Sequence, residues 1–480
     1  MAYTYFERLS ALDDSFLELE NGRTHMHIGA VAVFEGGPLV TPEGGVDIER
    51  VRRLMEAGIH RIQRYRQRLA WVPVFGHPVW VDDDHFNLVY HVRHTHLPKP
   101  GDERQLKRMV ARLMSQELDR GKPLWEMWVV EGLENGRFAI VTKAHHCMID
   151  GIGSVELTGS IMRPTPDMDP ALEEPPPRWI PRPAPSPLEL FTAELTRRAT
   201  APLKAVGAAT RLLSAPRVTL GAARDTAMGF VEAIGAGLRP ASPTPLNVEI
   251  GPHRRFDWTV TDLAGLKATR SRHGGTVNDV VLAVLAGALG RFFHRRGIDT
   301  QRLDFRVMIP VNVRDAVTQR DVGNRVTMMV AKLPIDERDP IRRLQRTVEE
   351  TRRMKSSRQA LGLQTLEELS DWTFTTLFTE FARLTSVSRP YNLVVTNVPG
   401  PPFPVYICGA RMTACYPLVP LFANQALGIA LFSYDGRLSW GFNADWDAVP
   451  DLHDLVELVD RELGVMRALG AEAPGEAAAS

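Results

Sequence analysis

The sequence predicts an α/β protein built from two mixed α/β domains, and three observations lead to this prediction. The chain of 480 residues is too long for one ordinary hydrophobic core. Strand-like and helix-like segments occur together in both halves. Between the halves, ten of the 24 residues from Pro164 to Pro187 are proline, a density that favours an extended connector over a helix or a central strand.

The composition excludes several classes of protein. Lys and Arg total 57, as do Asp and Glu, so the formal net charge is zero and no overall charge attracts nucleic acid. The three cysteines, Cys147, Cys408 and Cys415, are too few for a disulfide framework and indicate a reducing, cytoplasmic environment. Residues 1–20 carry charges where a secretory signal is apolar. The apolar stretch 418–432 is shorter than the roughly 20 residues of a spanning helix, so no transmembrane anchor is expected.

The N-terminal domain is placed at residues 1–163. The segments 78–97 and 136–146 have the composition of strands, and 102–120 carries apolar residues at helical spacing. The domain is therefore expected to be mixed α/β.

The connector is placed at residues 164–245. After the prolines, the segment from Arg197 to Arg224 contains six basic residues and no acidic residue, interleaved with small and apolar residues. This pattern is typical of a helix that lies on an anionic membrane surface, and equally of a solvated helical linker packed against the domains.

The C-terminal domain is placed at residues 246–470, followed by a flexible tail at 471–480. Strands are predicted at 255–263 and 305–313, and a buried helix at 277–297 that starts at an Asn-Asp cap. Residues 426–445 form a predicted hairpin whose Asp435-Gly436 fits a type I′ turn. An amphipathic helix is predicted at 451–469.

Residues 143–154 read KAHHCMIDGIGS and place two adjacent histidines at the end of a strand-like segment. Side chains on a strand alternate between its faces, so His145 and His146 are expected to point in opposite directions. Gly151 can adopt backbone angles closed to other residues, which suits a sharp turn that brings Asp150 beneath the strand end. An imidazole there can serve as a general base at neutral pH, but a hydrogen-bonded core histidine fits the pattern equally well.

Two other chemistries match these residues poorly. Adjacent histidines on one strand do not readily converge on one ion, and no third ligand follows at a recognised spacing, so no metal is expected. His25 and His27 share a strand face and are interpreted as core or rim residues. Cys147 adjoins His146, but neighbouring residues rarely orient a base at its own nucleophile, and inert packing is the expected role of the thiol.

Several blocks of sequence resemble the bacterial wax ester synthase/diacylglycerol acyltransferase family, beginning with HHxxxDG at 145–151. The resemblance covers nearly the whole chain outside the connector and is far more specific than HHxxxDG alone. The other blocks, in the family's order, are LSALDDSFLELE (9–20), FNLVYHVRHTHLPKPGDE (86–103), DRGKPLWEMWVVEGL (119–133), ND (278–279), PVNVRD (310–315) and TNVPGPPFPVY (396–406).

The resemblance implies the two-domain, chloramphenicol acetyltransferase-like fold of the coenzyme A-dependent acyltransferases, with the active site in a channel between the domains. Carried over to the matching positions, His146 is the general base, His145 supports it, and Asp150 with Gly151 maintains the turn. No cofactor is implied, because acyl-CoA is a co-substrate.

Further residues are assigned to the channel or to its support by the same resemblance. Asp150 is interpreted as structural, turned away from the cavity and paired with an arginine, for which Arg314 is the first candidate. Asn278 is interpreted as a helix N-cap, as a polar group in the channel, or as both, and Asp279 adjoins it. Asn312, Arg314 and Asn397 are expected to brace the channel. Pro123, Leu124 and Trp125 are interpreted as packing residues, with direct substrate contact as the alternative.

The favoured function is transfer of a long-chain acyl group from acyl-CoA to diacylglycerol, a long-chain alcohol, or both. One alternative is a condensation or polyketide-associated acyltransferase that takes its acyl group from a carrier protein. The other is a non-catalytic lipid-binding or droplet-coating protein. The expected location is cytoplasmic, including the inner face of the membrane and the surface of lipid droplets, with no nucleic acid partner. The sequence does not fix the acceptor or the oligomeric state.

Overall fold

A computed structural model describes residues 5–148, 161–167, 178–214, 239–312, 326–356 and 389–471. The described residues form two six-stranded sheets and one three-stranded sheet, with helices packed against them. The predicted mixed α/β class is confirmed.

The strands are β1 (Glu7–Arg8), β2 (His27–Phe34), β3 (Gln67–Trp71), β4 (Pro78–Asp82), β5 (Val92–His96), β6 (Trp125–Leu133), β7 (Arg137–His145), β8 (Arg254–Asp262), β9 (Arg306–Asn312), β10 (Val326–Lys332), β11 (Leu393–Pro399), β12 (Tyr406–Ile407), β13 (Ala410–Leu418), β14 (Leu427–Tyr434) and β15 (Arg437–Asp445). The α-helices are α1 (Ala11–Leu19), α2 (Ile48–Ile59), α3 (Leu88–His91), α4 (Glu103–Met114), α5 (Pro187–Ser214), α6 (Leu263–His273), α7 (Val277–Arg295), α8 (Pro340–Ser356) and α9 (Leu452–Ala471).

The N-terminal sheet has the strand order β12-β13-β2-β7-β6-β5. Its central strands alternate between two cores: Phe138 and Ile140 of β7 join the core that contains α2, whereas Ala139 and Val141 join the core that contains α4. This two-residue period is the expected consequence of covering both faces of a sheet. By the same alternation, His145 belongs to the α4 side of the sheet.

Two strands of the N-terminal sheet, β12 and β13, come from the C-terminal half of the chain. β13 pairs antiparallel with β2, so that Leu418 lies opposite Gly29 and Tyr416 opposite Val31. Residues 406–418 therefore complete a sheet that the division at residues 163 and 246 assigns entirely to the first half. Non-local strand pairing of this kind leaves no local mark in a sequence.

The C-terminal sheet has the order β10-β9-β11-β14-β15-β8. The predicted hairpin is confirmed: β14 and β15 pair antiparallel, and both Asp435 (φ 45°) and Gly436 (φ 77°) have the positive φ of a type I′ turn. The predicted strands at 255–263 and 305–313 appear as β8 and β9, and the predicted terminal helix as α9.

Helix α7 is the centre of the C-terminal core. It is long and apolar enough to cross a membrane by length and composition alone, yet its residues from Val280 to Ala286 are fully buried inside this half. The helix begins at Val277, as predicted, but the predicted Asn-Asp cap was wrong. Thr276 is the N-cap, and its hydroxyl accepts a hydrogen bond from the Asp279 amide while the Asp279 carboxylate accepts one from the Thr276 amide.

The connector is partly helical, as predicted. Residues 178–186 have no regular structure, and α5 then packs on the three-stranded sheet β1-β4-β3 through the buried Leu190. The carboxylate of Glu194, also buried, contacts Arg8 of β1 as well as Arg197 and Arg198 of its own helix. The two arginines that open the basic segment are thus paired with an acidic residue.

Candidate active site

The candidate site begins where β7 ends. His145 is the last residue of the strand, and a short 3₁₀ turn, His146–Met148, follows it. The His145 amide bonds to the Leu124 carbonyl (2.9 Å) and the His146 amide to the Met26 carbonyl (2.7 Å). The backbone of both histidines is therefore tied to neighbouring strands. Asp150 and Gly151 lie outside the described residues.

His145 is buried, with 1% of its surface exposed. Its Nδ1 lies 3.2 Å from the amide nitrogen of Cys147, which donates to it, and 2.9 Å from the Cys147 Sγ. Its Nε2 lies 3.4 Å from Oε2 of Glu20. Both ring nitrogens thus face protein groups.

Glu20 is the carboxylate at this site. It is the C-cap residue of α1. One oxygen accepts hydrogen bonds from Arg120 (2.8 and 3.3 Å), and the other accepts one from the Met26 amide (3.2 Å) and lies 3.4 Å from Nε2 of His27. Burial by itself raises the pKa of Glu20, but the contacts with His145 and Arg120 outweigh it and hold the pKa well below its usual range. The group is therefore a buried anion.

His146 has a different environment. Its ring stacks on Phe16 of α1, with centroids 4.0 Å apart and an interplanar angle of 27°. Its Nδ1 is buried, so Nε2 is the nitrogen that can reach a substrate. Burial lowers the pKa of His146 to about 4. At neutral pH the ring is therefore uncharged and can accept a proton.

Cys147 has the properties of a packing residue. The side chain is buried within the α2 core, and burial raises the pKa of its thiol well above the ordinary value. A thiol that keeps its proton is a poor nucleophile, which agrees with the interpretation made from sequence.

His25 and His27 lie beside this site. Both are buried, their rings are stacked with centroids 5.4 Å apart, and the pKa of each is lowered, chiefly by burial. His27 lies directly opposite His145 in the pairing of β2 with β7. Across the described part of the chain, three potential metal ligands converge only at another place, Asp83 with its two following residues.

The PLW segment at 123–125 packs against the strand end. Leu124 and Trp125 are buried, the Trp125 indole donates to the Tyr65 carbonyl (2.9 Å), and its ring stacks on His91 with centroids 4.6 Å apart. This arrangement agrees with the packing interpretation, because the segment fixes the backbone to which the His145 amide is bonded.

Asp279 supports the start of α7. It is 3% exposed, and its carboxylate accepts hydrogen bonds from the Thr276 amide (2.7 Å), the Thr276 hydroxyl (2.8 Å) and the Thr351 hydroxyl (2.7 Å). Asn278 lies in the first turn of the helix and is half-buried, and it is not the N-cap that one interpretation proposed. Its place in a channel stays a prediction.

The remaining predicted residues lie at the ends of strands in the C-terminal sheet. Asn312 is the last residue of β9, and Asn397 lies on β11, which runs parallel to β9, so both are near the same edge of the sheet. Arg314 lies outside the described residues, and so does any pairing between it and Asp150.

Three residues of the site, Phe16, Glu20 and Arg120, were not predicted from the sequence. The first two stand four residues apart in LSALDDSFLELE, a spacing that places two side chains on one face of a helix. That spacing was the available signal, but which residues the face contacts is a long-range property.

Comparison with known proteins agrees with this site. The model of the wax ester synthase/diacylglycerol acyltransferase catalytic domain matches residues 9–281, and that of the WS/DGAT C-terminal domain matches residues 322–467. A Mycobacterium tuberculosis protein named "Probable diacyglycerol O-acyltransferase tgs1" is 31% identical over 465 residues, which cover 94% of either chain.

Two solved structures share the fold. The wax ester synthase/diacylglycerol acyltransferase from Marinobacter aquaeolei VT8 superposes with a TM-score of 0.67 at 25% identity, over 97% of this chain and 100% of that one. The first condensation domain of the calcium-dependent antibiotic synthetase superposes with a TM-score of 0.58 at 15% identity, over 98% of this chain and 97% of that one, and is similar in fold alone. With both domain models matched in order and the motif histidines placed at a strand end, the chain belongs to the wax ester synthase/diacylglycerol acyltransferase family.

Proposed function

We propose that the protein transfers a long-chain acyl group from acyl-CoA to the hydroxyl of diacylglycerol or of a long-chain alcohol. The observation that carries the proposal is the environment of His146, an uncharged imidazole held against Phe16 at the end of β7. The substrate class, acyl-CoA and a hydroxyl acceptor, is taken from the family, and His146 is the proposed base.

The reaction needs one base and no covalent enzyme intermediate. His146 removes the proton from the acceptor hydroxyl as the oxygen attacks the thioester carbonyl. The tetrahedral intermediate then collapses, the carbon–sulfur bond breaks, and the imidazolium returns its proton to the CoA thiolate. The products are an ester and free CoA.

The low pKa of His146 suits a ring that is uncharged before each turnover, and it requires the imidazolium to be short-lived. A positioned base typically contributes about 10²- to 10⁴-fold to the rate. Alignment of two long apolar substrates and stabilisation of the oxyanion supply the remainder.

The proposal is tested by release of CoA from palmitoyl-CoA, with dioleoylglycerol and hexadecanol offered separately. We expect acceptor-dependent release by the wild type and a loss of about 10²-fold or more in His146→Ala. The matched control is His253→Ala, because His253 is exposed and lies outside the site. Release that persists at the wild-type rate in His146→Ala would overturn the proposed role.

The same assay separates the alternatives. Turnover only with an acyl group carried on a carrier protein would favour a condensation-type enzyme. Binding of lipid by the wild type and by His146→Ala with no turnover in either would favour a lipid-binding protein.

We also propose that the protein works at a lipid surface on the cytoplasmic side, on the membrane or on lipid droplets. Large apolar side chains are exposed in the region of α5 and the β3–β4 loop: Leu188 (70% exposed), Leu195 (52%) and Val74 (89%). Leu188 and Leu195 are seven residues apart, so they share one face of the helix.

Co-sedimentation with vesicles tests this location. Vesicles of phosphatidylglycerol and phosphatidylcholine are expected to retain the wild type and to lose the Leu188→Asp/Leu195→Asp variant. Exchange of exposed Thr192 and Thr196 for Asp is the matched control for added charge on α5. Equal recovery of the wild type with and without vesicles would contradict the proposal.

A further inference from the structure

Helix α1 contacts both motif histidines through different side chains. Phe16 stacks on His146, and Glu20, one turn later at the C-cap, lies beside Nε2 of His145. The two rings belong to different elements, because His145 ends β7 and His146 begins the 3₁₀ turn. One helix therefore holds both rings of the pair.

The hydrogen bonds of His145 define which of its nitrogens carries the proton. The Cys147 amide donates to Nδ1, so Nδ1 has no hydrogen. The neutral ring must then carry its proton on Nε2, the atom that lies 3.4 Å from the carboxylate oxygen of Glu20. Glu20 is an acceptor at the position where this tautomer needs one.

The carboxylate is itself fixed in place. Arg120 donates to one oxygen and the Met26 amide to the other, so Glu20 can rotate only by breaking these bonds. Met26 also accepts the hydrogen bond from the His146 amide (2.7 Å). The Met26 amide thus helps to fix Glu20 in place, and His145 with Cys147 joins Glu20 to the turn of His146.

We propose that Glu20 is a positioning residue for the acyl transfer. Its carboxylate holds His145 in the Nε2–H tautomer, the Nδ1 atom of His145 holds the Cys147 amide, and the resulting turn fixes the ring of His146 on Phe16. This inference rests on the proposed function for its effect on turnover, but the tautomer of His145 is independent of it.

The chemistry requires a carboxylate at this position. In Glu20→Gln, one of the two oxygen acceptors becomes an NH₂ donor. Arg120 and His145 both contact Oε2, whereas the Met26 amide contacts Oε1. The single amide oxygen can serve one of these two positions but not both. If the NH₂ faces Nε2, His145 must move its proton to Nδ1, and the bond from the Cys147 amide is lost.

Kinetics of four variants, compared with the wild type, test the proposal. Glu20→Gln is expected to lower kcat about 10- to 100-fold while KM for palmitoyl-CoA changes by less than about 3-fold. His145→Asn is expected to lower kcat as well, and the Glu20→Gln/His145→Asn double variant to be no slower than His145→Asn, because Glu20 acts through His145. Glu18→Gln, an exposed carboxylate on the same helix, is the matched control and should turn over at the wild-type rate. Multiplied losses in the double variant, or wild-type turnover in Glu20→Gln, would overturn the proposal.

A second measurement does not depend on turnover. Histidine-selective ¹⁵N labelling of the wild type, with His145→Asn used to assign the ring, reports which nitrogen carries the proton. The proposal predicts a protonated Nε2 and a bare Nδ1 for His145 at pH 7.5. A proton on Nδ1 would contradict it even in an active enzyme, whereas the predicted tautomer in a protein without transfer activity would overturn the proposed function and leave the contact intact.

Discussion

The ring of His146 lies on the ring of Phe16, with centroids 4.0 Å apart and an angle of 27° between the planes. Phe16 is itself 7% exposed and belongs to the α2 core of the N-terminal half. The orientation of the candidate base is thus tied to the core packing of the domain, which makes the stack a target for substitution.

Phe16→Leu keeps an apolar side chain but removes the flat surface on which the imidazole rests. We expect kcat to fall about 5- to 50-fold with KM for palmitoyl-CoA nearly unchanged, since a base misplaced by about 1 Å loses as much as 10²-fold. The matched control is Phe75→Leu. Phe75 also stacks on an aromatic ring, that of Phe191, with centroids 5.7 Å apart, and it does so outside the site. Equal effects of the two substitutions would show that the stack on His146 has no special role.

The pH dependence follows from the pKa of His146, which burial lowers from 6.5 to about 4. The uncharged ring is the active form, so kcat/KM should be level above about pH 6 and fall as the pH drops towards 4. The folded-state pKa is below the unfolded one, so this group's contribution to stability is present above pH 6.5 and is lost as the pH falls through about 4.

Initial rates between pH 4 and 8 check this prediction, with circular dichroism at each pH to confirm that the chain is folded. Recovery of full activity after return to pH 7.5 distinguishes titration from damage. An inflection near pH 6.5 in folded protein would mean that His146 is solvated and not buried.

Asp279 and Asn278 should behave differently although they are neighbours. Asp279→Ala removes the cap contact with the Thr276 amide and one of the two acceptors of the Thr351 hydroxyl, so we expect the free energy of unfolding to fall by about 1–3 kcal/mol. Asn278→Ala removes no cap and should change stability by less than about 0.5 kcal/mol. Urea unfolding measures both, and a normal stability with reduced kcat in Asn278→Ala is the result expected of a group in the substrate channel.

The buried pair of Arg343 and Glu462 gives a control for stability in the other half of the chain. Both side chains are at most 1% exposed, and the Arg343 guanidinium also donates to the Ala283 carbonyl of α7 (2.9 Å). Glu462→Gln should lower the free energy of unfolding by about 3–5 kcal/mol, because it leaves a buried cation without its partner. In the Glu462→Gln protein that remains folded, the KM for palmitoyl-CoA should be unchanged. A large rise in this KM would indicate that the pair lies near the substrate.

Local pattern was sufficient for much of the fold. The Asp435-Gly436 hairpin and α9 follow from turn chemistry and helical spacing, both of which are properties of neighbouring residues. The N-cap of α7 was misassigned because an Asn-Asp pair and a Thr-x-x-Asp capping box overlap in the same four residues, and the side chain of Thr276 forms the cap.

Only part of the candidate site could be predicted from the sequence. His145 and His146 are recognisable because they are adjacent at the end of a strand-like segment. The prediction that they point in opposite directions assumed that both lie on the strand, whereas His146 begins the 3₁₀ turn. The partners of these histidines come from residues about 130 positions earlier in the chain, and nothing local in LSALDDSFLELE indicates that Glu20 and Phe16 contact them. The pairing of β13 with β2 in the N-terminal sheet was not predicted for the same reason, because it joins residues far apart in the chain.

The most direct test of acyl transfer through His146 measures ester formation by the wild type and by His146→Ala. Each protein is given radiolabelled palmitoyl-CoA with dioleoylglycerol or hexadecanol, and the labelled ester is separated by thin-layer chromatography. Acyl transfer through His146 predicts labelled triacylglycerol or wax ester from the wild type and a loss of about 10²-fold or more in the variant. Equal amounts of labelled ester from the two proteins, or no ester from the wild type with either acceptor, would contradict it.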